Sequence, residues 1–258
     1  MKNISEQIGK AVSIVKENLN DNVLGIYLYG SAVLGGLHPN SDIDILVITQ
    51  SSITRLDREL LTKKLMNVSG RVGEIHKRPI ELTIISQAAI EPWNFPPICD
   101  YMYGEWLREE LETGYIPQSY TEPDAVILLW QAREYSMLLY GAKVEGLIPP
   151  IPSEDIRRAI LESLPGLLLN IKGDERNTLL TLSRMWYTLE TGKILPKHIA
   201  AQWALTKIPP ALIGVLSKAV DGYLGRAEDQ WNENDTQINE LVLFMSNEIK
   251  NIDVSSLL

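Results

Sequence analysis

The chain has 258 residues, of which 45% are hydrophobic and 22% are charged, a composition typical of a globular protein with one large or two modest domains. Lysine and arginine number 24 against 33 aspartates and glutamates, which gives a formal net charge of −9. An acidic surface repels phosphodiester chains and attracts cations. The charge therefore argues against a nucleic-acid partner and favours a cationic small molecule.

No apolar run reaches the roughly 20 residues that a membrane-spanning helix needs, and the first residues lack the basic-then-apolar order of a signal peptide. Cys99 is the only cysteine, so an internal disulfide is excluded. We therefore expect a cytoplasmic protein without membrane contact, and we expect it to be a monomer.

The first part of the chain alternates between helical and strand patterns. Apolar residues recur at helical spacing from Ile4 to Leu19. Segments rich in β-branched and aromatic residues predict strands at Val23 to Tyr29 and Ile43 to Thr49. A charged helix is expected around Arg55 to Val68, before a third strand from Ile80 to Ile85. This order predicts an α/β sheet with helices on one face.

The second part of the chain has a helical pattern. Thr121 to Asp124 predicts the start of a helix that ends near Gly141, because proline suits the first turn and acidic residues favour the positive end. The prolines from Pro149 to Pro152 exclude a helix, and helical periodicity continues beyond them. We place a boundary near Pro150, with one domain over 1–150 and an all-helical domain over 151–258.

The most informative motif joins the first two strands. Gly30-Ser31 ends the first strand and Asp42-Ile43-Asp44 begins the second. Alternate strand residues share a face, so the two aspartates point the same way with Cα atoms roughly 7 Å apart. Such carboxylates suit a shared magnesium ion, and Gly30 with Ser31 suits the close approach of a phosphate. The structural alternative is a turn into a strand with solvated acids.

Further motifs extend this pattern along the chain. They are Arg78-Pro79-Ile80-Glu81-Leu82-Thr83-Ile84, Tyr103-Gly104-Glu105-Trp106, Gly173-Asp174-Glu175-Arg176-Asn177, Thr191-Gly192-Lys193-Ile194-Leu195-Pro196-Lys197 and Gly222-Tyr223-Leu224-Gly225. Together they resemble the polymerase-β-like nucleotidyltransferase superfamily, and within it the aminoglycoside adenylyltransferases that act on streptomycin and spectinomycin. The resemblance implies a nucleotidyltransferase domain with a mixed sheet and helices, followed by an all-α helical-bundle domain. It also implies AMP transfer from ATP to an antibiotic, with two Mg²⁺ ions.

The resemblance implies roles for individual residues. Glu81 would be the catalytic base, and Asp42, Asp44 and Glu81 would hold the two metal ions. The ATP-binding residues would be Gly30, Ser31, Ser41, Asp42, Asp44, Arg184, Lys197 and Tyr223. The substrate-binding residues would be Glu81, Trp106 and Asp174. The structural alternative for Glu81 is a solvated strand carboxylate paired with Arg78 or Lys77.

Two other residues also have structural alternatives. Arg184 could be a helix-surface charge paired with Glu190 or Asp174. Asp174 could cap a helix that ends before Gly192, and this role is compatible with ligand binding. Trp186 has the helical spacing of a core residue and is expected to be buried.

The expected substrate depends on two departures from relatives that accept both drugs. Those relatives carry a tryptophan and an aspartate where this chain has Pro165 and Asn170. Proline has no indole to stack on a sugar, and asparagine lacks a charge to pair with a guanidinium of streptomycin. We therefore expect AMP transfer to the 9-hydroxyl of spectinomycin with little activity on streptomycin. The alternatives are transfer to both drugs, or to a hydroxyl of a protein or RNA.

Overall fold

The computed structural model describes residues 2–39, 41–71, 73–74, 76–169, 171–231 and 236–252. The chain forms two compact units, Met1–Asp155 and Ile156–Leu258. The first unit ends a few residues beyond the boundary that the prolines suggested near Pro150. Among the described helices, none combines the length and the apolar character required to cross a bilayer.

The first unit is built on a mixed five-stranded sheet. The strands of the described residues are β1 Val23–Tyr29, β2 Ile43–Thr49, β3 Ile80–Ser86, β4 Ile98–Cys99, β5 Tyr101–Tyr103, β6 Tyr120–Thr121 and β7 Met137–Gly141. The sheet order is β5-β3-β2-β1-β7, in which β2 and β3 run parallel and the other neighbours run antiparallel. β4 and β6 form a separate antiparallel pair. The three strands expected from the sequence are confirmed.

Helices cover both faces of this sheet. The helices of the first unit are α1 Lys2–Leu19, α2 Arg55–Val68, α3 Arg108–Glu112 and α4 Asp124–Glu134. On one face, α1 and α2 place Val15 and Leu61 in a core with Ile45. On the other, α4 places Leu129 in a core with Leu46. The expectation of helices on one face is wrong, because β2 is apolar on both faces and each must be covered.

The segment after α4 also differs from the sequence expectation. The helix ends at Glu134, and Met137–Gly141 form the edge strand β7 instead of continuing the helix. β7 pairs with β1, which would otherwise present unpaired backbone groups. At Gly141 φ is +84°, and a Cβ there would lie 2.1 Å from the carbonyl oxygen of Leu24. Strand pairing with a distant segment therefore overrides the helical preference of the local sequence.

The second unit is all-helical in its described part. Its helices are α5 Ser153–Leu169, α6 Glu175–Thr191, α7 Lys197–Ala204, α8 Ile213–Tyr223 and α9 Thr236–Asn251. The first residues of α5 belong to the first unit. α6 packs against α7, α8 and α9. Trp186 of α6 is buried and packs edge-on against Trp203 and Phe244, with ring centroids 5.1 and 6.0 Å apart. The expectation that Trp186 belongs to the core is confirmed.

A buried ion pair holds the turn that follows β5. The side chains of Glu105 and Arg108 are 3% and 10% exposed. The Arg108 guanidinium donates to both carboxylate oxygens of Glu105, at 2.9 and 2.7 Å, and to the Met66 carbonyl of α2 at 3.0 Å. The Tyr103 hydroxyl donates to Oε1 of Glu105 at 2.6 Å. These bonds join the turn to β5 and to α2.

The pair makes stability depend on pH. Burial alone would raise the pKa of Glu105, but hydrogen bonds with Arg108, Ser69 and Tyr103 hold this pKa below its usual value. A depressed carboxyl pKa stabilises the folded state above the unfolded pKa of about 4.3, and this contribution is lost as pH falls through the folded value. We expect Glu105→Gln to lower the free energy of unfolding by about 3 kcal/mol near neutral pH, because Arg108 is left buried without a counter-ion.

Urea unfolding at neutral and acidic pH measures this difference. The difference in the free energy of unfolding between the original protein and Glu105→Gln should decrease as pH falls below about 4.3. Glu112→Gln is the matched control, since Glu112 pairs with Arg71 at the surface and the loss should stay below about 1 kcal/mol. A gap that is independent of pH would contradict the prediction.

Candidate active site

Strand pairing aligns Tyr29, Asp44 and Glu81 in one row across the sheet. Tyr29 pairs with Asp44 between β1 and β2, and Asp44 pairs with Glu81 between β2 and β3. Directly paired residues point to the same face, and neighbouring strands lie about 4.8 Å apart. The carboxylates of Asp44 and Glu81 therefore project side by side, and Asp42 precedes them at the start of β2.

The pKa of Tyr29 and the hydrogen bond of Lys77 are consistent with the carboxylates of Asp44 and Glu81 lying side by side. Tyr29 is 5% exposed, and burial, followed by the negative charges of Glu81 and Asp44, raises the pKa of its hydroxyl well above its usual value. Both carboxylates thus act on one buried phenol. Lys77, which was one alternative partner for Glu81, donates to the Asn67 carbonyl at 3.2 Å.

Arg78, the other alternative partner of Glu81, holds the loop before β2. Its guanidinium donates to the carbonyl oxygens of His38 at 2.7 Å and Ser41 at 2.8 Å. The Ser41 hydroxyl accepts a bond from the His38 N–H at 3.0 Å, which leaves its own hydrogen to donate to a ligand. Sequence analysis missed this role of Arg78. The available signal was the parallel pairing of β2 with β3, which brings the start of β3 beside the loop before Asp42.

Gly30 provides the space for the Asp44 carboxylate. Its φ is +66°, and a Cβ built on it would lie 1.8 Å from Oδ2 of Asp44. Glycine alone meets both the conformational and the steric requirement. Gly30 and Ser31 lie in a single helical turn, Gly30–Ala32, and the Gly30 carbonyl accepts a bond from the Leu34 N–H at 2.9 Å.

These donors fit a hard divalent cation. Asp42, Asp44 and Glu81 offer carboxylate oxygens, which Mg²⁺ prefers, and Gly30 keeps a side chain out of the space beside Asp44. Within the described residues, no group of three or more His, Cys, Asp or Glu side chains is arranged to hold a metal ion. The metal-ligand roles of the three acids stay predictions, which the donor chemistry supports.

Trp106 lies in the turn Glu105–Leu107 that follows β5, and it is 57% exposed. β5 is the neighbour of β3, with Tyr103 paired to Leu82. The turn therefore begins beside the end of β3 that carries Glu81. An exposed indole at this place can pack against an apolar ring edge of a ligand, and the predicted substrate contact is consistent with it.

In the second unit, Asp174 stands before α6 without capping it. Its side chain makes no capping bond, and the Gly173 N–H donates to Oε1 of Glu175 at 3.1 Å. The expectation of a side-chain cap at Asp174 is therefore wrong, because its carboxylate is bonded to the side chain of Asn177 and not to a backbone N–H of the first helical turn. Oδ2 of Asp174 accepts a bond from Nδ2 of Asn177 at 2.9 Å, and the carboxylate is exposed with lone pairs left for a cationic ligand.

Asn177 connects two of the predicted binding residues. Its Nδ2 donates to Asp174, and its Oδ1 accepts from Nζ of Lys197. One amide thus joins a predicted substrate carboxylate to a predicted phosphate-binding lysine within the second unit. Sequence analysis assigned no role to Asn177. The spacing of three residues from Asp174 at the start of a helix was the available signal.

The remaining predicted ATP-binding residues also lie in the second unit. Arg184 is half-buried on α6. Glu190, one alternative partner of Arg184, forms an ion pair with Lys207. Tyr223 ends α8, and its ring stacks on His198 of α7 with centroids 5.8 Å apart. Nothing in these contacts tests nucleotide binding, and the roles of Arg184 and Tyr223 stay predictions.

A surface cavity of about 460 Å³ opens beside Asp174. Small-molecule sites have volumes of roughly 300–1,000 Å³. An ion pair between Arg176 and Asp229 forms part of the wall, and Nε1 of Trp231 donates to Oδ1 of Asp229 at 2.7 Å. The cavity is lined by Lys172, Gly173, Asp174, Glu175, Arg176, Asp229 and Trp231. Sequence analysis missed Asp229 and Trp231, because no local pattern links them to Asp174.

The expected preference for spectinomycin over streptomycin rests on Pro165 and Asn170. Pro165 is exposed within α5. Asn170 lies outside the described residues. The effect of both positions on substrate choice stays a prediction.

Two family models match the chain. The polymerase beta nucleotidyltransferase model matches residues 10–92, and the model for the C-terminal domain of aminoglycoside adenylyltransferase matches residues 146–248. The first range contains the row from Tyr29 to Glu81, and the second contains Asp174, Asn177 and Lys197.

Known proteins match over nearly the full length. Spectinomycin 9-adenylyltransferase of Campylobacter jejuni is 49% identical over 247 residues, which is 96% of each chain. Aminoglycoside (3'') (9) adenylyltransferase of Escherichia coli is 37% identical over 254 residues, again 96% of each chain. The crystal structure of the spectinomycin adenyltransferase of Enterococcus faecalis with ATP and spectinomycin has a TM-score of 0.92 and 40% identity, covering 96% of this chain and 100% of that chain.

The contact between Gly30 and Asp44 can be tested without any ligand. Gly36 has a φ of +90° with no atom near its missing Cβ, so it is a matched control for Gly30. We expect each alanine substitution to cost about 1–2 kcal/mol of unfolding free energy from the left-handed backbone. Gly30→Ala should cost about 1–3 kcal/mol more, because its Cβ displaces the Asp44 carboxylate.

Urea unfolding of five proteins measures this effect: the original protein, Gly30→Ala, Gly36→Ala, Asp44→Ala and the double variant of Gly30→Ala with Asp44→Ala. The extra cost of Gly30→Ala should disappear in an Asp44→Ala background, where the carboxylate is gone. Equal costs for Gly30→Ala and Gly36→Ala would show that the close approach to Asp44 is unimportant for stability.

Proposed function

The chain belongs to the aminoglycoside adenylyltransferase family, and on this premise we propose that it transfers AMP from ATP to the 9-hydroxyl of spectinomycin, with release of pyrophosphate. The observation that carries the proposal is the near-complete match to relatives named for spectinomycin 9-adenylyl transfer, at 49% identity over 96% of each chain. The side-by-side carboxylates of Asp44 and Glu81 support it, because they offer oxygen ligands for a metal ion and a proton acceptor near the starts of two adjacent strands. We place the reaction in the cytoplasm.

Glu81 acts as the catalytic base in this proposal. Its carboxylate accepts the proton of the 9-hydroxyl, and the freed oxygen attacks the α-phosphorus of ATP in line with the departing pyrophosphate. A positioned base typically contributes about 10²- to 10⁴-fold to the rate. The row across β1, β2 and β3 supports this role, since it fixes Glu81 on a rigid strand beside Asp44.

Asp42, Asp44 and Glu81 would hold two Mg²⁺ ions. Bound Mg²⁺ would stabilise the negative charge that develops on the attacking and leaving oxygens. The residues themselves supply oxygen donors, and Gly30 keeps the space beside Asp44 open. Arg78 keeps the loop with Ser41 in place through its bonds to the loop carbonyls.

Residues of both units would bind ATP. Gly30 permits close approach of the triphosphate, and the hydroxyls of Ser31 and Ser41 donate to it. In the second unit, Arg184 and Lys197 balance the charge of the leaving pyrophosphate. Tyr223 completes the nucleotide site, and its ring is already ordered by stacking on His198.

Trp106 and Asp174 would bind the antibiotic. The exposed indole of Trp106 packs against an apolar ring edge of spectinomycin. The exposed carboxylate of Asp174 binds the ammonium groups, a role supported by the absence of a capping bond from its side chain. The adjoining cavity of about 460 Å³ supports the recognition of a compact ligand.

Transfer to both streptomycin and spectinomycin is the second candidate function. The E. coli relative, whose name gives both the 3'' and 9 positions, favours it at 37% identity. Pro165 and Asn170 speak against it, because neither can replace the tryptophan and aspartate of the family members that accept streptomycin.

Substitution of the proposed base separates chemistry from binding. We expect Glu81→Gln to keep affinity for ATP and spectinomycin while adenylylation falls about 10²- to 10⁴-fold, because the amide accepts no proton while Asp42 and Asp44 still supply carboxylates for magnesium. Pyrophosphate release with saturating substrates measures the rate, and calorimetry measures both affinities.

Substitutions of Asp42 and Asp44 are compared with Glu81→Gln. Asp42→Asn and Asp44→Asn should also weaken ATP binding measured in magnesium, because each removes a ligand charge. An unchanged ATP affinity would refute the ligand role of that aspartate. Near-normal turnover in Glu81→Gln would assign the base to another residue.

Substrate choice gives a second test. We expect the purified enzyme to release pyrophosphate with spectinomycin and to be about 10- to 150-fold less efficient with streptomycin, the cost of one lost charge-assisted bond of about 1.5–3 kcal/mol. A protein substrate serves as a negative control. Comparable efficiency with both antibiotics would establish the second candidate instead. The double substitution Pro165→Trp with Asn170→Asp should raise streptomycin turnover.

A further inference from the structure

We propose that Gly104 is a positioning residue for the indole of Trp106 and thereby sets the affinity for spectinomycin without contacting it. The inference deepens the proposed function and rests on it, since Trp106 is the predicted antibiotic contact there.

The missing Cβ of Gly104 is where the indole lies. A Cβ at this position would be 2.3 Å from Cη2, 2.3 Å from Cζ3 and 2.5 Å from Cζ2 of Trp106, all atoms of the six-membered ring. The backbone of Gly104 is extended, with φ −156° and ψ 154°, a conformation that any residue adopts. Space for the indole is therefore the reason for glycine.

The same geometry places the indole on the face of the sheet that carries the acids. Tyr103 pairs with Leu82, and extending this antiparallel register by one residue puts Gly104 across from Glu81. Directly opposite residues share a face, with Cβ positions about 5 Å apart. An indole packed on Gly104 is thus held beside the proposed base.

The backbone below the indole is fixed, so a conflict at Gly104 must be relieved by the ring. Glu105, the first residue of the turn, and Arg108, which directly follows it, form the buried ion pair, with further bonds to Tyr103 and Met66. Trp106 itself is 57% exposed and can rotate towards water. Gly104→Ala should therefore move the indole and leave the fold intact.

A double-mutant cycle tests this coupling. We expect Gly104→Ala to raise the KM for spectinomycin about 10- to 100-fold, because a displacement of about 1 Å suffices for such a loss, while the KM for ATP stays within about twofold. In a Trp106→Ala background, Gly104→Ala should have no further effect, since the space is already vacated. Gly146→Ala is the control, because no atom lies near its missing Cβ.

A second measurement is independent of the antibiotic. The six tryptophans can be labelled with 5-fluorotryptophan, and the ¹⁹F resonance of Trp106 is assigned with Trp106→Phe. Gly104→Ala should shift this resonance and leave the other five in place, and Gly146→Ala should shift none.

The two measurements distinguish the possible failures. A shifted Trp106 resonance in an enzyme that does not modify spectinomycin would refute the proposed function and keep the placement of the indole. An unshifted resonance, an unchanged spectinomycin KM in Gly104→Ala, or additive losses in the cycle would overturn the positioning role.

Discussion

The parallel pairing of β2 with β3 is the constraint on which the rest of the first unit depends. It holds Asp44 beside Glu81, although two like charges at this distance repel each other and each raises the cost of ionising the other. The arrangement is tolerable where a cation or a proton can be shared. Gly30 and Arg78 serve this pairing, the first by making room for a carboxylate and the second by fixing the loop that delivers the strand.

Apolar packing on both faces of the sheet makes that pairing rigid. Ile45 and Leu46 are fully buried on opposite sides of β2, so the strand cannot slip by one residue without exposing its core positions. Asp44 and Glu81 are each the second residue of their strand and follow the buried residues Ile43 and Ile80. A rigid strand that carries polar groups near its start keeps their carboxylates within a narrow range of positions, as the proposed in-line transfer between two bound substrates would require.

In the second unit, charge is arranged in connected pairs. The amide of Asn177 lies between Asp174 and Lys197, and Arg176 is paired with Asp229 beside the cavity. Opposite charges are thus present within a few residues, which suits the proposed binding of an anionic nucleotide and a cationic antibiotic. The contacts already made by these groups limit their rotamers, so less side-chain entropy remains to be lost when ligands bind.

Local sequence determined the elements whose side-chain period is short and regular. The strands Val23–Tyr29 and Ile43–Thr49 have the bounds that composition and alternation predicted, and the Gly-Ser and Asp-x-Asp spacing predicted candidate ligand-binding residues at their ends. These features follow from backbone geometry over a few residues, which the sequence alone specifies. The functional roles of Glu81 and Trp106 were predicted from the family resemblance, not from local sequence.

Tertiary structure decided everything that depends on a distant partner. Met137–Gly141 became a strand because β1 had an open edge, although the local sequence favoured a helix. The side chain of Asp174 makes no capping bond, because it accepts a bond from the side chain of Asn177 instead. The need for glycine at Gly104 became visible only when the ring of Trp106 was placed on it. Hydrogen bonds and steric contacts between segments far apart in sequence have no local periodicity, so only the folded chain reveals them.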